Sequence, residues 1–203
     1  LIPPNQTFSM YRQIGDIERT TGFTDSAIIK NGRAVIGIGG GVCQVSTTLY
    51  RSALLAGLPI VERRPHSFRV SYYEQESSPG LDAAIYFPQW DLKFTNDTPK
   101  HILIQAIIDE ANEKLTINFW GHSDGRQVTL SEPTITDQRQ PPKEVRIPTS
   151  TLPKGTIRQT DFATDGAKVT ITRTVTKNGN DQKEDIVSVY KPWQSVYLIG
   201  TGN

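Results

Sequence analysis

The sequence has almost no sulfur: one cysteine, Cys43, and one methionine stand among 203 residues. A lone cysteine cannot close an intramolecular disulfide. The three histidines have no metal-ligand spacing, so a structural zinc site is excluded as well. We therefore expect no metal and no cofactor, and the thiol is either buried filler or a reactive group.

Excess charge and long apolar runs are also missing. The 22 basic and 21 acidic residues give a net charge of +1, which argues against a nucleic-acid binder, because phosphate contacts demand clustered Lys and Arg. No apolar run approaches a membrane span, and no secretory leader opens the chain. We expect no membrane contact within this fragment, and the opening LIPPNQTF predicts that the natural N-terminus lies further upstream.

The stretch GIGGGVCQVSTTLY places the cysteine after four glycines in five positions. Apolar residues recur at helical spacing over residues 42–56, and Gly57 followed by Pro59 is a stop signal. Cys43 is therefore predicted to lie at the start of a helix.

Short β-favouring runs follow: IVERRPHSFRVSYY, LDAAIYF, DLKFTN, HILIQAIID and KLTINFWGH. They predict an α+β fold in which the cysteine-bearing helix packs on an antiparallel sheet. A polar, proline-rich stretch then precedes alternating residues around an Asn-Gly turn, which indicates an elongated all-β module. The predicted organisation is a domain over 1–125, a linker over 126–142 and a module over 143–203, with the two parts folding separately.

A helix start suits a nucleophilic thiol. Its unpaired N–H groups and partial positive charge favour the thiolate. The glycines Gly39, Gly40 and Gly41 remove side chains where a substrate backbone would approach, and the amides of Gly40, Gly41 or Val42 could hold an oxyanion.

A thiol nucleophile needs a base, and the base needs an orienting group. His66 is the candidate base, since it follows a sharp entry point and opens a strand, whereas the other two histidines lie at turns or strand ends. A plain hairpin register places Asp91 opposite His66. Pro88 can shift that register, so Asp82 stays an alternative.

Several stretches carry a family resemblance: FSMYRQIG, GIGGGVCQVSTTLYRSALLAGLPIVERRPHS, VSYY, GLDAAI and DLKFTNDTP. Together they resemble the VanW domain over roughly residues 1–121. The tail, with VRIPTSTLPKGTIRQ, DGAKVTITRTVTKNG and VYLIGTG, is similar to the G-five domain, an extended β module.

The resemblance implies an exported protein of the bacterial cell envelope, extracellular and often behind an N-terminal membrane anchor. It implies a peptidoglycan L,D-transpeptidase that links diaminopimelate residues of stem peptides, with a possible wall-glycan contact in the C-terminal module. The family's cysteine and histidine fall on Cys43 and His66, and both Asp82 and Asp91 match family aspartates. A cysteine peptidase of stem peptides and a non-catalytic wall-binding protein remain alternatives.

Further residues are candidates for substrate binding. Arg64 and Arg69 flank His66, with Arg63 beside them, and could pair with stem carboxylates, although a solvated strand face is an equal alternative. Ser46 and Thr47 share a helix face with Cys43, or hydrogen bond to backbone as such residues commonly do. Tyr72 shares the strand face of His66, or belongs to the core.

Overall fold

The computed structural model describes residues 1–30, 33–75 and 77–202, and the chain is mostly β. Two α-helices are present in these residues, α1 (Met10–Ile14) and α2 (Val42–Leu55), and short 3₁₀ helices lie at Arg19–Thr21 and Ser71–Glu74. The strands are β1 (Thr7–Ser9), β2 (Asp25–Lys30), β3 (Arg33–Ile38), β4 (Ile60–Glu62), β5 (Lys93–Thr95), β6 (Leu103–Asp109), β7 (Lys114–Trp120), β8 (Gln127–Leu130), β9 (Thr134–Arg139), β10 (Val145–Pro153), β11 (Ile157–Asp161), β12 (Gly166–Lys177), β13 (Asn180–Tyr190) and β14 (Val196–Gly202).

Helix α2 forms where the sequence predicts it. Gly41 caps its N-terminus with a φ of 84°, a left-handed conformation that glycine adopts without steric cost. One face of the helix is buried through Leu49, Ala53 and Leu54, whereas Val45 and Leu55 are exposed. The helix ends one residue earlier than predicted, and Gly57 follows with a φ of 70°.

The strands of the N-terminal part form three small sheets, ordered β1-β5-β4, β2-β3 and β6-β7. All of their pairings are antiparallel, but they do not make the single antiparallel sheet expected from the sequence. Helix α2 lies against β7, and Ser52 Oγ donates to Ile117 O at 3.2 Å. The long predicted strand that begins at Ile60 ends at Glu62, because the chain leaves the sheet after that residue.

In the C-terminal part, β12 and β13 form a long hairpin around the predicted Asn-Gly turn. Asn178 and Gly179 take φ angles of 51° and 76°, as a tight hairpin turn requires. Strands β10 and β14 pair in parallel, and β11 adds to the other edge of β14.

Residues 126–142, predicted to be a linker, carry regular structure. They contain β8 and β9, which both pair with β12 in antiparallel register. Polar composition suggested a linker, but strand pairing depends on backbone groups and is open to polar sequences with one exposed face. The division into domains at these residues stays a prediction.

The two parts share one hydrophobic core. Val169, Ile171 and Tyr190 of the C-terminal hairpin belong to the same buried cluster as Leu54 and Phe94 of the N-terminal part. A Cβ on Gly80 would lie 2.8 Å from Val169 Cγ1, so glycine is needed for this close approach. A shared core is inconsistent with the expectation that the two parts fold separately.

Candidate active site

The pairing of the chain around His66 sets the geometry of the site. Ile60 pairs with Phe94 in β4 and β5, but beyond a bulge Arg64 pairs with Ala84 instead. The change in register between these two pairings is accommodated by the turn between Tyr86 and Trp90, which closes through a bridge between these two residues. In antiparallel pairing this register places His66 opposite residue 82.

Asp82 therefore contacts His66. Its Oδ2 accepts the His66 backbone N–H at 2.6 Å and lies 2.5 Å from His66 Nδ1. Both side chains are buried. The prediction that Asp91 orients His66 is wrong: Asp91 accepts hydrogen bonds from Ser9 Oγ and the Tyr11 N–H, and so fixes the start of α1.

The Cys43 side chain interacts with the same imidazole. The thiol is half-buried, lies 3.8 Å from Ile85 O, and is close enough to His66 for each group to shift the pKa of the other. Because Nδ1 is engaged by Asp82, Nε2 is the ring nitrogen left for Cys43. Cys43, His66 and Asp82 are thus brought together, with the imidazole hydrogen bonded to the carboxylate.

The electrostatics of Cys43, His66 and Asp82 favour separated charges, with a thiolate beside an imidazolium. Burial opposes the thiolate, but the hydrogen bond and positive charge of His66 lower the pKa of Cys43 below its usual value. Burial also opposes the imidazolium, yet hydrogen bonds with Asp82 and Cys43 raise the pKa of His66 to about 9. Against the effect of burial, His66 and Arg63 lower the pKa of Asp82. The arrangement can supply a thiolate and a proton donor together.

The glycine turn precedes Cys43 directly. Gly39 and Gly41 both have left-handed φ angles, and the Val42 N–H donates to Gly39 O at 3.3 Å. The predicted use of the Val42 amide for an oxyanion is therefore not supported. The N–H groups of Gly40, Gly41 and Cys43 donate to no acceptor in the described part of the chain, so they are open to a developing negative charge.

The predicted substrate-binding residues of α2 are buried. Ser46 is fully buried, and Thr47 Oγ1 accepts the Ala83 N–H at 3.1 Å. Thr47 thus ties the segment that carries Asp82 to the helix that carries Cys43. The prediction that these two side chains line the site is not supported, because neither offers surface to a substrate.

The three arginines differ in their partners. Arg63 is buried and donates to Gly80 O, Asp82 O and Asp82 Oδ1, while Arg69 makes a bidentate ion pair with Glu74. Arg64 lies over the Trp90 ring, 5.5 Å from its centroid, and makes no ion pair with a described residue. Of the three, only Arg64 is free for a substrate carboxylate.

Tyr72 does not share a strand face with His66, since both it and Tyr73 lie in the 3₁₀ helix Ser71–Glu74. Tyr72 is 55% exposed. Tyr73 is buried instead and packs its ring on His66, with centroids 5.5 Å apart. Period-two spacing alone does not distinguish two adjacent tyrosines, because which of them faces His66 depends on the local 3₁₀ helix.

An open groove passes the site. It begins at Gly40 and Gly41 and runs along the outer face of α2, past Gln44 and Thr48, toward the turn of the β6–β7 hairpin. Tyr72 also lines it, and the lining includes Val42 and Gln44, the residues on either side of Cys43.

In the part of the chain that the structure describes, no three His, Cys, Asp or Glu side chains converge as a metal site would require. Neither α1 nor α2 has the length and apolar character to cross a membrane.

Two family models match the chain. The family model of VanW-like proteins matches residues 1–120, and that of the G5 domain matches residues 132–202. The chain belongs to the VanW-like family and carries a G5 domain after its VanW-like domain.

Two curated relatives each match about half of the chain. The chain is 40% identical to the uncharacterized protein YoaR of Bacillus subtilis over 103 residues, which are 51% of this chain and 33% of that protein. It is 33% identical to the vancomycin B-type resistance protein VanW of Enterococcus faecalis over 112 residues, 54% of this chain and 40% of that protein. The match thus spans well under half the length of either relative.

Two solved structures align with part of the chain. The IgA1 protease G5 domain structure is 22% identical, with 41% of this chain and all of that chain covered and a TM-score of 0.24. The HP0197-G5 crystal structure is 18% identical, with 36% and 99% covered and a TM-score of 0.18.

Proposed function

We propose that this protein is a cysteine-dependent L,D-transpeptidase that cross-links stem peptides of peptidoglycan in the cell envelope. The observation that carries the proposal is the hydrogen bond between His66 and Asp82, with Cys43 beside the same imidazole at the N-terminus of α2. VanW-like family membership and a relative named for vancomycin resistance support a cell-wall substrate.

In the first half-reaction, Cys43 Sγ attacks the diaminopimelate carbonyl carbon of a donor tetrapeptide stem. A C–S bond forms, and the carbonyl oxygen becomes an oxyanion next to the free amides of Gly40, Gly41 and Cys43. His66 then gives its proton to the leaving nitrogen, the C–N bond breaks and D-alanine departs, leaving a thioester on Cys43.

In the second half-reaction, the side-chain amine of an acceptor stem attacks the thioester. His66 takes a proton from that amine, the new C–N bond forms and the C–S bond breaks, which regenerates the thiolate. Asp82 remains ionised throughout and holds the imidazole in orientation. The exposed groove along α2 offers room for the peptidoglycan strand, and Arg64 offers a guanidinium to a stem carboxylate.

The test is to incubate the protein with a soluble tetrapeptide stem and to measure intact mass, released D-alanine and cross-linked dimer. We expect an acyl-enzyme adduct and dimer with the native chain, and neither with Cys43→Ala, which should retain the melting temperature. Release of tripeptide without dimer would identify a hydrolase. Native-rate release of D-alanine from the Cys43→Ala protein would end the proposal.

For the G5 domain, we propose that it adds affinity for wall glycan. The test uses glycan strands freed of stem peptides, with the Cys43→Ala protein to separate binding from acylation. Retention of the protein on these strands is the expected result, and retention only on strands that still carry stems would contradict a glycan contact.

A further inference from the structure

The end of β13 and the residues after it run along both segments that carry the candidate base and its orienting group. Ser188 Oγ donates to Gly80 O at 2.8 Å, two residues before Asp82. The Lys191 N–H donates to Ser67 O at 2.7 Å, one residue after His66. The G5 domain thus holds the backbone on either side of the pair.

Tyr190 lies between these two contacts and reaches the site itself. Its ring is buried in the shared core, and its hydroxyl donates to Asp82 Oδ1 at 2.5 Å. The other carboxylate oxygen, Oδ2, faces His66. A donor on Oδ1 restricts rotation of the carboxylate and so keeps Oδ2 directed at the imidazole.

Other groups also face Asp82. They are Arg63 and His66 from the segment after β4, Cys43 and Arg51 from α2, Tyr73 from the 3₁₀ helix and Tyr190 from β13. Of these groups, Tyr190 is the one that the C-terminal part supplies, and it donates a hydrogen bond directly to the carboxylate.

We propose that Tyr190 is a positioning residue of the site and that the G5 domain, through it, completes the site that the VanW-like domain begins. The catalytic consequence of this inference rests on the proposed function. Tyr190 touches neither thiol nor substrate; it acts through Asp82, whose negative charge sustains the imidazolium that in turn sustains the Cys43 thiolate.

The experiment compares Tyr190→Phe with Tyr197→Phe in the full chain. Both substitutions remove one phenolic oxygen from the C-terminal part, but Tyr197 lies in β14 and its ring faces Arg146, away from the site. Three measurements are made: the melting temperature, the pH profile of Cys43 alkylation by iodoacetamide, and steady-state kinetics on stem peptides, which give kcat and KM.

For Tyr190→Phe we expect the acid limb of the alkylation profile to move to higher pH, because the carboxylate is no longer held with Oδ2 directed at His66, and a less stabilised imidazolium supports the thiolate less well. We also expect kcat to fall about tenfold with little change in KM, since the hydroxyl contacts no substrate. Tyr197→Phe should leave both quantities at native values.

An alkylation profile that stays in place in folded Tyr190→Phe overturns the positioning role, even if the melting temperature falls. If Tyr190→Phe does not fold, 3-fluorotyrosine at position 190 replaces it. The fluorinated phenol keeps the ring and is a stronger donor, so the acid limb should move to lower pH, and an unmoved limb again overturns the proposal.

The alkylation readout also separates this inference from the proposed function. A protein whose profile shifts as expected, but which forms no acyl-enzyme on stem peptides, would retain Tyr190 as a positioning residue and lose the transpeptidase. If Tyr190→Phe turns over stem peptides at the native rate, the transpeptidase proposal stands and the positioning role of Tyr190 is lost.

Discussion

Arg64 and Ala84 pair across an isolated antiparallel bridge, in which the Ala84 N–H donates to Arg64 O at 2.7 Å. This one pairing decides which aspartate meets His66. Counting two residues along each segment from the bridge leads to His66 and Asp82, while Asp91 lies beyond the Tyr86–Trp90 turn and serves the start of α1 instead.

The same substitution at the two aspartates should therefore give different defects. Asp82→Asn should lower turnover on stem peptides by about 10³–10⁴-fold, because an amide cannot hold the imidazolium in orientation. Asp91→Asn removes a carboxylate oxygen that accepts hydrogen bonds from Ser9 Oγ and the Tyr11 N–H. The loss should lower the unfolding free energy by about 1–3 kcal/mol. Steady-state kinetics and urea unfolding measure the two effects.

Both variants are buried aspartates replaced by an isosteric amide, so each is the control for the other. Normal turnover in folded Asp82→Asn, or a larger kinetic loss in folded Asp91→Asn, would contradict the assignment of Asp82.

The paired titration of Cys43 and His66 predicts how stability depends on pH. In the fold, His66 keeps its proton up to its pKa of about 9, while the lowered pKa of Cys43 releases the thiol proton earlier than in the unfolded chain. In the unfolded chain the pair holds one proton, on Cys43, between the ordinary pKa values of 6.5 and 9.0. The proton that His66 retains in the fold offsets the proton that Cys43 loses, so the pair adds less pH dependence than His66 would add alone.

Cys43→Ala should expose the His66 contribution. Asp82 still raises the pKa of His66, so the folded state then binds more protons than the unfolded state above pH 6.5. That contribution to stability is complete below 6.5 and is lost as pH rises through the folded pKa. Unfolding free energies of native and variant chains at pH 6, 7, 8 and 9 should diverge, and parallel curves would count against the ion pair.

The left-handed glycine before Cys43 offers a test of the helix start. Gly41 and Gly125 have φ angles of 84° and 81°, and a Cβ on either would meet no atom within 4 Å. Alanine at each position should cost about 1–2 kcal/mol through backbone strain alone. Only Gly41→Ala should also slow Cys43 alkylation, because it disturbs the amides that stabilise the thiolate.

The measurement is the alkylation rate at neutral pH in both variants, with unfolding free energies from denaturant. Equal alkylation rates in the two proteins would show that the glycine turn does not govern the reactivity of Cys43.

The shared core predicts that the two parts unfold together. Ile171→Ala removes a fully buried side chain of the C-terminal hairpin and should cost about 2–5 kcal/mol. Ile157→Ala, at a position 61% exposed, should change stability by less than about 0.5 kcal/mol. Hydrogen exchange measures the effect.

In Ile171→Ala we expect the amides of α2 and of β12 to lose protection to the same extent. Loss of protection confined to β12 would show that the two parts unfold independently.

The sequence by itself determined the local features of this protein. The start of α2 at Val42, the position of Cys43 in its first turn and the hairpin turn at Asn178 and Gly179 all follow from glycine placement and residue periodicity, which act over a few residues. The family resemblance likewise rests on contiguous stretches, and the family model confirms it.

Only the tertiary structure decided the partners of His66. Whether Asp82 or Asp91 meets it depends on a strand register, and one bulge with one turn moves a register without leaving a strong sequence signal. The hydroxyl of Tyr190 comes from 108 residues beyond Asp82. Contacts of that separation arise from packing of the whole chain, because a shared core brings together segments whose local sequences carry no information about each other.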